Sequence, residues 1–203
     1  MRIGVIVEGL GEVEAFRLLL PKIQTANEVI CTPLRADLQP KANSNVIARS
    51  ASSAVKLFRS RKVDLIIVLI DREDHPNLPI FAMEIKNSLA KMYGGSFEVI
   101  VKDRQIENWL IADIQALKDS PKRFKITSAF EKAVTPNKAD TIKSPHHLLE
   151  GICIKKSYNK GLDPKIIMAK QRPEYIAKHS RSFRRLLRII GEPNYSNQSK
   201  EPA

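Results

Sequence analysis

Three observations predict an α/β fold with a parallel sheet. Apolar strand-like runs alternate with helical periodicity through the first hundred residues. The runs at 64–70 and 97–101 are almost continuously apolar and β-branched, as expected of strands covered on both faces. Acidic loops follow two of the strands, where open α/β sheets carry their sites. The expected core is a Rossmann-like, four-stranded parallel sheet flanked by helices with right-handed crossovers. A basic helical part follows it.

The elements are justified in order. Residues 2–7 form the first strand, and from Glu12 to Thr25 a helical face collects Val13, Phe16, Leu19, Leu20 and Ile23. Pro21 ends or kinks that helix near Leu20. A second strand is expected over 28–35, then a polar loop with Pro40. Asn43 or Ser44 caps a helix to about Ser60, burying Val46, Ile47, Ala54, Val55 and Phe58. After the strand at 64–70, Pro79 opens a helix to Tyr93, which Gly94 and Gly95 stop. The fourth strand is 97–101. Helical segments then follow over 107–117, 126–134, 145–153, 164–170 and 173–190. The expected division is an α/β core at 1–104, a helical basic extension at 105–190 packed on or beside it, and a disordered tail at 191–203.

Composition narrows the function classes. No apolar run approaches the roughly 20 residues that span a bilayer, and the N-terminus shows no signal-peptide core, so a cytoplasmic protein is expected. Cys31 and Cys153 are isolated, without disulfide or metal-ligand spacing. The net charge of +12 is segregated. Residues 1–117 carry 15 Lys and Arg against 14 Asp and Glu, whereas residues 118–190 carry 18 against 6. Such a basic module fits a polyanion, nucleic acid above all, while a solvated basic surface is the plainer alternative.

The chemistry lies in the acids. Glu8 ends the first strand, with Gly9 and Gly11 allowing close backbone approach and Glu12 four residues on. Glu12 also suits a helix N-terminus, and a solvated strand-end acid is the alternative for Glu8. Asp71, Glu73 and Asp74 follow the apolar strand at 64–70. If the chain stays extended, Glu73 points the same way as Asp71; Arg72 can neutralise one of the acids, and His75 adjoins them. Glu107 opens the helix after the fourth strand and can converge on the same cleft, or serve the helix dipole. Carboxylates gathered by different strands repel unless a cation lies between them, and Mg²⁺ favours such oxygen donors. No Walker loop, no Gly-x-Ser-x-Gly turn and no reactive Cys–His neighbourhood accompanies them, and His146 and His147 lack ligand spacing.

These residues carry a resemblance. Val7-Glu8-Gly9-Leu10-Gly11-Glu12 resembles the Glu-Gly-x-Thr/Ser-Glu opening motif of Toprim domains, with Gly11 where Thr or Ser is common. Ile70-Asp71-Arg72-Glu73-Asp74 resembles their Asp-x-Asp motif, with Glu73 in place of the second Asp. The segments at 107–113 and 180–187 are similar to compact bacterial Toprim-like proteins of unknown function, related to nucleases of the overcoming-lysogenization-defect type. The resemblance implies a Toprim-like core, Mg²⁺ or Mn²⁺ as cofactor, and nuclease chemistry, in a defence or DNA-repair setting and beside an ATPase partner. It implies Glu8 as metal ligand or acid/base, Asp71 and Glu73 as ligands with Asp74 as substitute for Glu73, and Glu12 as a second-metal ligand.

A nuclease built this way would grip phosphates through Lys155, Lys156, Lys160, Arg181, Arg184, Arg185 and Arg188. On the last helix Phe183, Leu186, Leu187 and Ile190 form the buried side and the arginines the other. Two other functions stay open. One is a nucleic-acid-binding scaffold with a degenerate cleft. The other is a phosphoacceptor switch, for which Lys102 at the fourth strand's end supplies the lysine.

Overall fold

The computed structural model describes residues 1–195. Strand β1 (Arg2–Val7) lies inside a parallel sheet, flanked by β4 (Leu65–Asp71), with β5 (Ser96–Lys102) beyond as an outer strand. On its other side β1 pairs with two short strands, β2 (Glu28–Val29) and β3 (Leu34–Arg35). The single strand expected over 28–35 is therefore interrupted, and each fragment adds only two residue pairs to the edge. The chain leaves β1 in opposite directions, toward β2 and toward β4, so the gap between the β1 and β4 ends is the topological switch point.

Alternation along the strands divides the core in two. Ile3, Val5 and Val7 of β1, Leu65, Ile67 and Leu69 of β4 and Ile100 of β5 face one side. Ile6, Ile66, Val68, Ile70, Phe97, Val99 and Val101 face the other, against α2 (Ser44–Ser50), α3 (Ser52–Ser60) and α4 (Leu78–Tyr93). The expected helix over 44–60 is broken at Ala51; Asn43 caps its first half, accepting from the Val46 amide at 3.1 Å.

The first face is covered by α1 (Leu10–Leu19) and by the C-terminal helices. These are α5 (Ile106–Ala112), α6 (Ile114–Lys118), α7 (Ser128–Ala133), α8 (Pro145–Ile152), α9 (Asp163–Lys170), α10 (Pro173–His179) and α11 (Arg181–Ile190). All seven residues of α5 are buried, and Trp109 meets Phe16 and Phe183 edge-on. The expected helix 107–117 divides at Asp113, whose carboxylate caps α6 through the Ala116 amide. Ser180 divides 173–190 in the same way, capping α11 through Phe183. Lys22, just past α1, donates to the carbonyls of Met168, Ala169 and Gln171 at 3.0, 2.8 and 2.9 Å, closing the end of α9. Residues 191–195, expected in the tail, are folded: Pro193–Tyr195 form a 3₁₀ turn with Tyr195 buried. The remainder of that tail lies outside the described residues. Among the described residues no helix is long and apolar enough to cross a membrane.

Candidate active site

The carboxyl ends of β1, β4 and β5 bring three acids and one lysine together. Lys102 closes β5 on the same face as Ile100, so its stem runs beneath α1. Its side chain is 0% exposed. The ammonium lies 2.5 Å from Glu12, 2.9 Å from Asp71 and 3.6 Å from Glu8. Glu12 enters from the first turn of α1 and also accepts from the Glu8 amide at 3.2 Å. Glu8 reaches across to accept from the Asp71 amide at 2.5 Å, joining the β1 and β4 ends over the switch point. Glu8 and Asp71 keep 18% and 20% of their side-chain surface open, against 8% for Glu12. They form the mouth of the cleft.

Electrostatics follow from this burial. Desolvation raises the Glu8 carboxyl to about 7, with Asp71 and Glu12 adding to the rise and Lys102 opposing it. Glu12 is raised by burial too, against the pull of Lys102. For Lys102, burial favours the neutral amine, but Asp71, Glu12 and Glu8 outweigh it and raise its pKa. The lysine is therefore a fixed positive charge. Among the described residues no group of three or more His, Cys, Asp or Glu side chains stands ready to hold a metal ion. The point where a cation would bridge the acids is taken by Lys102.

The other expected ligands lie apart from this set. Glu73 has φ 49°, so the chain turns instead of staying extended, and its carboxylate lies 3.8 Å from the Lys41 ammonium. The expectation that it shares the direction of Asp71 is overturned by that turn. Asp74 is exposed. Arg72 neutralises Asp103 at 2.8 Å, not an acid of its own loop. His75 is fixed by the Pro40 carbonyl at 3.0 Å and stacks on Phe81. Glu107 is 2% exposed and accepts from the Tyr158 hydroxyl at 3.3 Å, with the Lys160 ammonium 4.0 Å away.

The glycines act differently from expectation. Gly9 has an ordinary extended backbone, φ −106°. Gly11 matters for space: a Cβ there would collide with the Lys160 carbonyl oxygen. That contact excludes the Thr or Ser side chain of the motif and brings the loop bearing Lys160 against α1.

Of the expected phosphate-binding residues, Lys155, Lys156, Lys160, Arg181 and Arg188 are exposed and Arg185 is half-buried. Arg184 departs from the set. It is 3% exposed and donates to the Ala177 carbonyl at 2.5 Å and to Asn137 Oδ1 at 2.9 Å, holding α11 to its neighbours. A network missed by sequence reasoning surrounds Asp140, which accepts from Ser180 Oγ, the Ser182 amide and Ser182 Oγ at 2.7, 2.8 and 3.1 Å. Trp109 Nε1 donates to the same Ser182 hydroxyl. The polar loop at 137–144 gave no periodic signal for it.

Residues 7–190 match the family model described as a domain of unknown function (DUF4276). No curated protein and no solved structure matches the chain.

Proposed function

The chain belongs to this DUF4276 family, and we propose that it performs Mg²⁺- or Mn²⁺-dependent phosphodiester hydrolysis on nucleic acid, as a Toprim-type nuclease. The observation that carries this reading is the meeting of Glu8, Glu12 and Asp71 at the switch point, around one buried cation. The donors there are all carboxylate oxygens, which fits a hard divalent ion in kind. Glu8 and Asp71, the two open acids, are the side chains that would hold it, with Lys102 releasing its share of them. Glu73, Asp74 and Glu107 would join only if the acidic loop or α5 moved.

A bound Mg²⁺ supplies Lewis-acid polarisation of a phosphoryl oxygen and an activated water. The chain's own residues contribute the rest. Lys102 keeps a positive charge beneath the cleft, and Glu12 fixes the ammonium's position. Exposed Lys160 and Arg181 attract the phosphate backbone from outside, which gives low sequence specificity. The free thiols Cys31 and Cys153 suit a reducing cytoplasm. A defence or DNA-repair setting and an ATPase partner follow from the Toprim resemblance alone.

A second reading is favoured by Lys102 itself. With the acids already balanced by a buried ammonium, the cleft can be catalytically silent and the protein a nucleic-acid-binding scaffold. Cleavage of plasmid, single-stranded DNA and structured RNA with Mg²⁺ or Mn²⁺ separates the two. Turnover by wild type, lost in Glu8→Ala and Asp71→Ala, supports the nuclease. Salt-sensitive binding with no turnover under any condition supports the scaffold.

A further inference from the structure

At the outer side of β5 the structure has a cavity of about 240 Å³ that the acidic cleft does not use. Its apolar wall is Leu78, Pro79 and Val101. Val101 and Asp103 contribute to it, while Lys102 between them serves the cleft, so the two sites meet at one strand end. About one strand spacing, ~4.8 Å, separates β5 from the Asp71 strand.

The polar lining decides what could enter. Both carboxylates are already engaged: Asp103 pairs with Arg72 at 2.8 Å, and Asp140 is held by the Ser180 and Ser182 donors. The acid whose charge acts on Arg185 is Glu98, itself paired with Lys86 at 2.6 Å. Arg181 and Arg185, one turn apart on α11, line the same cavity. The Nε of Arg185 is buried without a hydrogen-bond partner, and Arg181 is exposed. A buried Nε–H with no acceptor is costly unless a ligand completes it. Two guanidinium forks on a small cavity suit the oxygens of a phosphate group. The volume suits a phosphate with its adjoining sugar.

We propose that this cavity is a phosphate subsite, in which Arg181 and Arg185 hold the phosphate next to the one presented at the acidic cleft. The identity of the ligand as a nucleic-acid strand rests on the proposed function; the anion chemistry of the cavity does not. Bound there, a strand would be registered by α11 against the Glu8 and Asp71 mouth, and the arginines would act by positioning.

The test is titration of the full chain, in chelator, with thymidine 3′,5′-bisphosphate, reading the arginine Nε–H resonances by NMR. The expected result is a shift of the Arg185 Nε–H signal. Affinity should fall about tenfold in Arg181→Gln. Lys178→Gln, which removes an exposed charge elsewhere, controls for diffuse attraction. Because Arg185→Gln can disturb packing, the exposed Arg181→Gln and the conservative Arg185→Lys carry the test. An Arg185 signal that does not move at saturation overturns the proposal, as does equal weakening by Lys178→Gln and Arg181→Gln. Intact bisphosphate binding in a protein that cleaves nothing would sink the hydrolase reading and leave the subsite standing.

Discussion

Asp71 and Lys102 are register partners in adjacent parallel strands, and their side chains close into an ion pair of 2.9 Å at the carboxyl edge of the sheet. The pairing makes Lys102 the hub of the cleft. It also makes the ionic cluster part of the sheet's stability, because the ammonium has no access to water.

Removing one partner of a buried ionic group costs more than the group contributes when intact. Lys102→Met should therefore lower unfolding free energy by about 3–5 kcal/mol. Adding Glu12→Gln to that variant should recover part of the loss, since one stranded carboxylate is then gone. Urea unfolding followed by the fluorescence of Trp109, the chain's one tryptophan, measures both. Equal stability of Lys102→Met and wild type would contradict the burial of the ammonium.

A carboxyl raised on folding binds more protons in the native than in the unfolded state. Its contribution is complete below the ordinary value and is lost as pH rises through the folded one. For Glu8 that window runs from 4.5 to about 7. In chelator, wild type should lose stability across it by on the order of 3 kcal/mol more than Glu8→Gln. Parallel stability curves for the two proteins between those pH values would refute the shift.

Gly11 and Gly9 should separate by substitution. Gly11→Ala drives a methyl into the Lys160 backbone and should cost about 1–3 kcal/mol. At Gly9 the nearest atom to a new Cβ is Glu12 Cγ at 3.9 Å, so Gly9→Ala should be close to neutral. Thermal unfolding of the pair distinguishes a packing requirement at Gly11 from a shared need for flexibility.

Arg184 and Arg188 sit one turn apart and should behave oppositely. Arg184→Met strands the Ala177 carbonyl and Asn137, and should cost about 1.5–3 kcal/mol. Arg188→Gln should leave stability within about 0.5 kcal/mol. Its effect belongs to binding: the salt dependence of single-stranded nucleic-acid affinity should fall by about 0.7 in log–log slope. A loss of binding in Arg184→Met without loss of stability would reverse the assignment.

The local signals were legible where a residue acts on its neighbours. Strands β1, β4 and β5, the Asn43 cap and the helix stop at Gly94 all follow from spacing and side-chain chemistry within a few positions. Glu8 and Asp71 were legible as acids at strand ends and Glu12 as an acid in the first turn of the next helix, because the sheet's topology fixes where such ends meet. Lys102 was visible as a strand-end lysine, yet its place at the centre depends on Glu12, 90 residues away. The turn that removes Glu73 from the cleft is a single left-handed residue of a type that rarely adopts that conformation, so composition gives no warning of it. Arg184 was misplaced because helical periodicity divides a helix into two faces. Here α10 and Asn137 reach around to cover part of the polar one.

The sharing of one apolar cluster by the sheet and the last helices bears on how the protein is made. Every acid of the cleft has been synthesised by residue 71 and its lysine by residue 102, but one face of the sheet then has only α1 against it. The three carbonyls that secure Lys22 are added some 70 residues later. A nascent or truncated chain thus carries all the charged groups of the cleft without the frame that holds them together. The apolar cover over that face is complete only once α9 to α11 have been made.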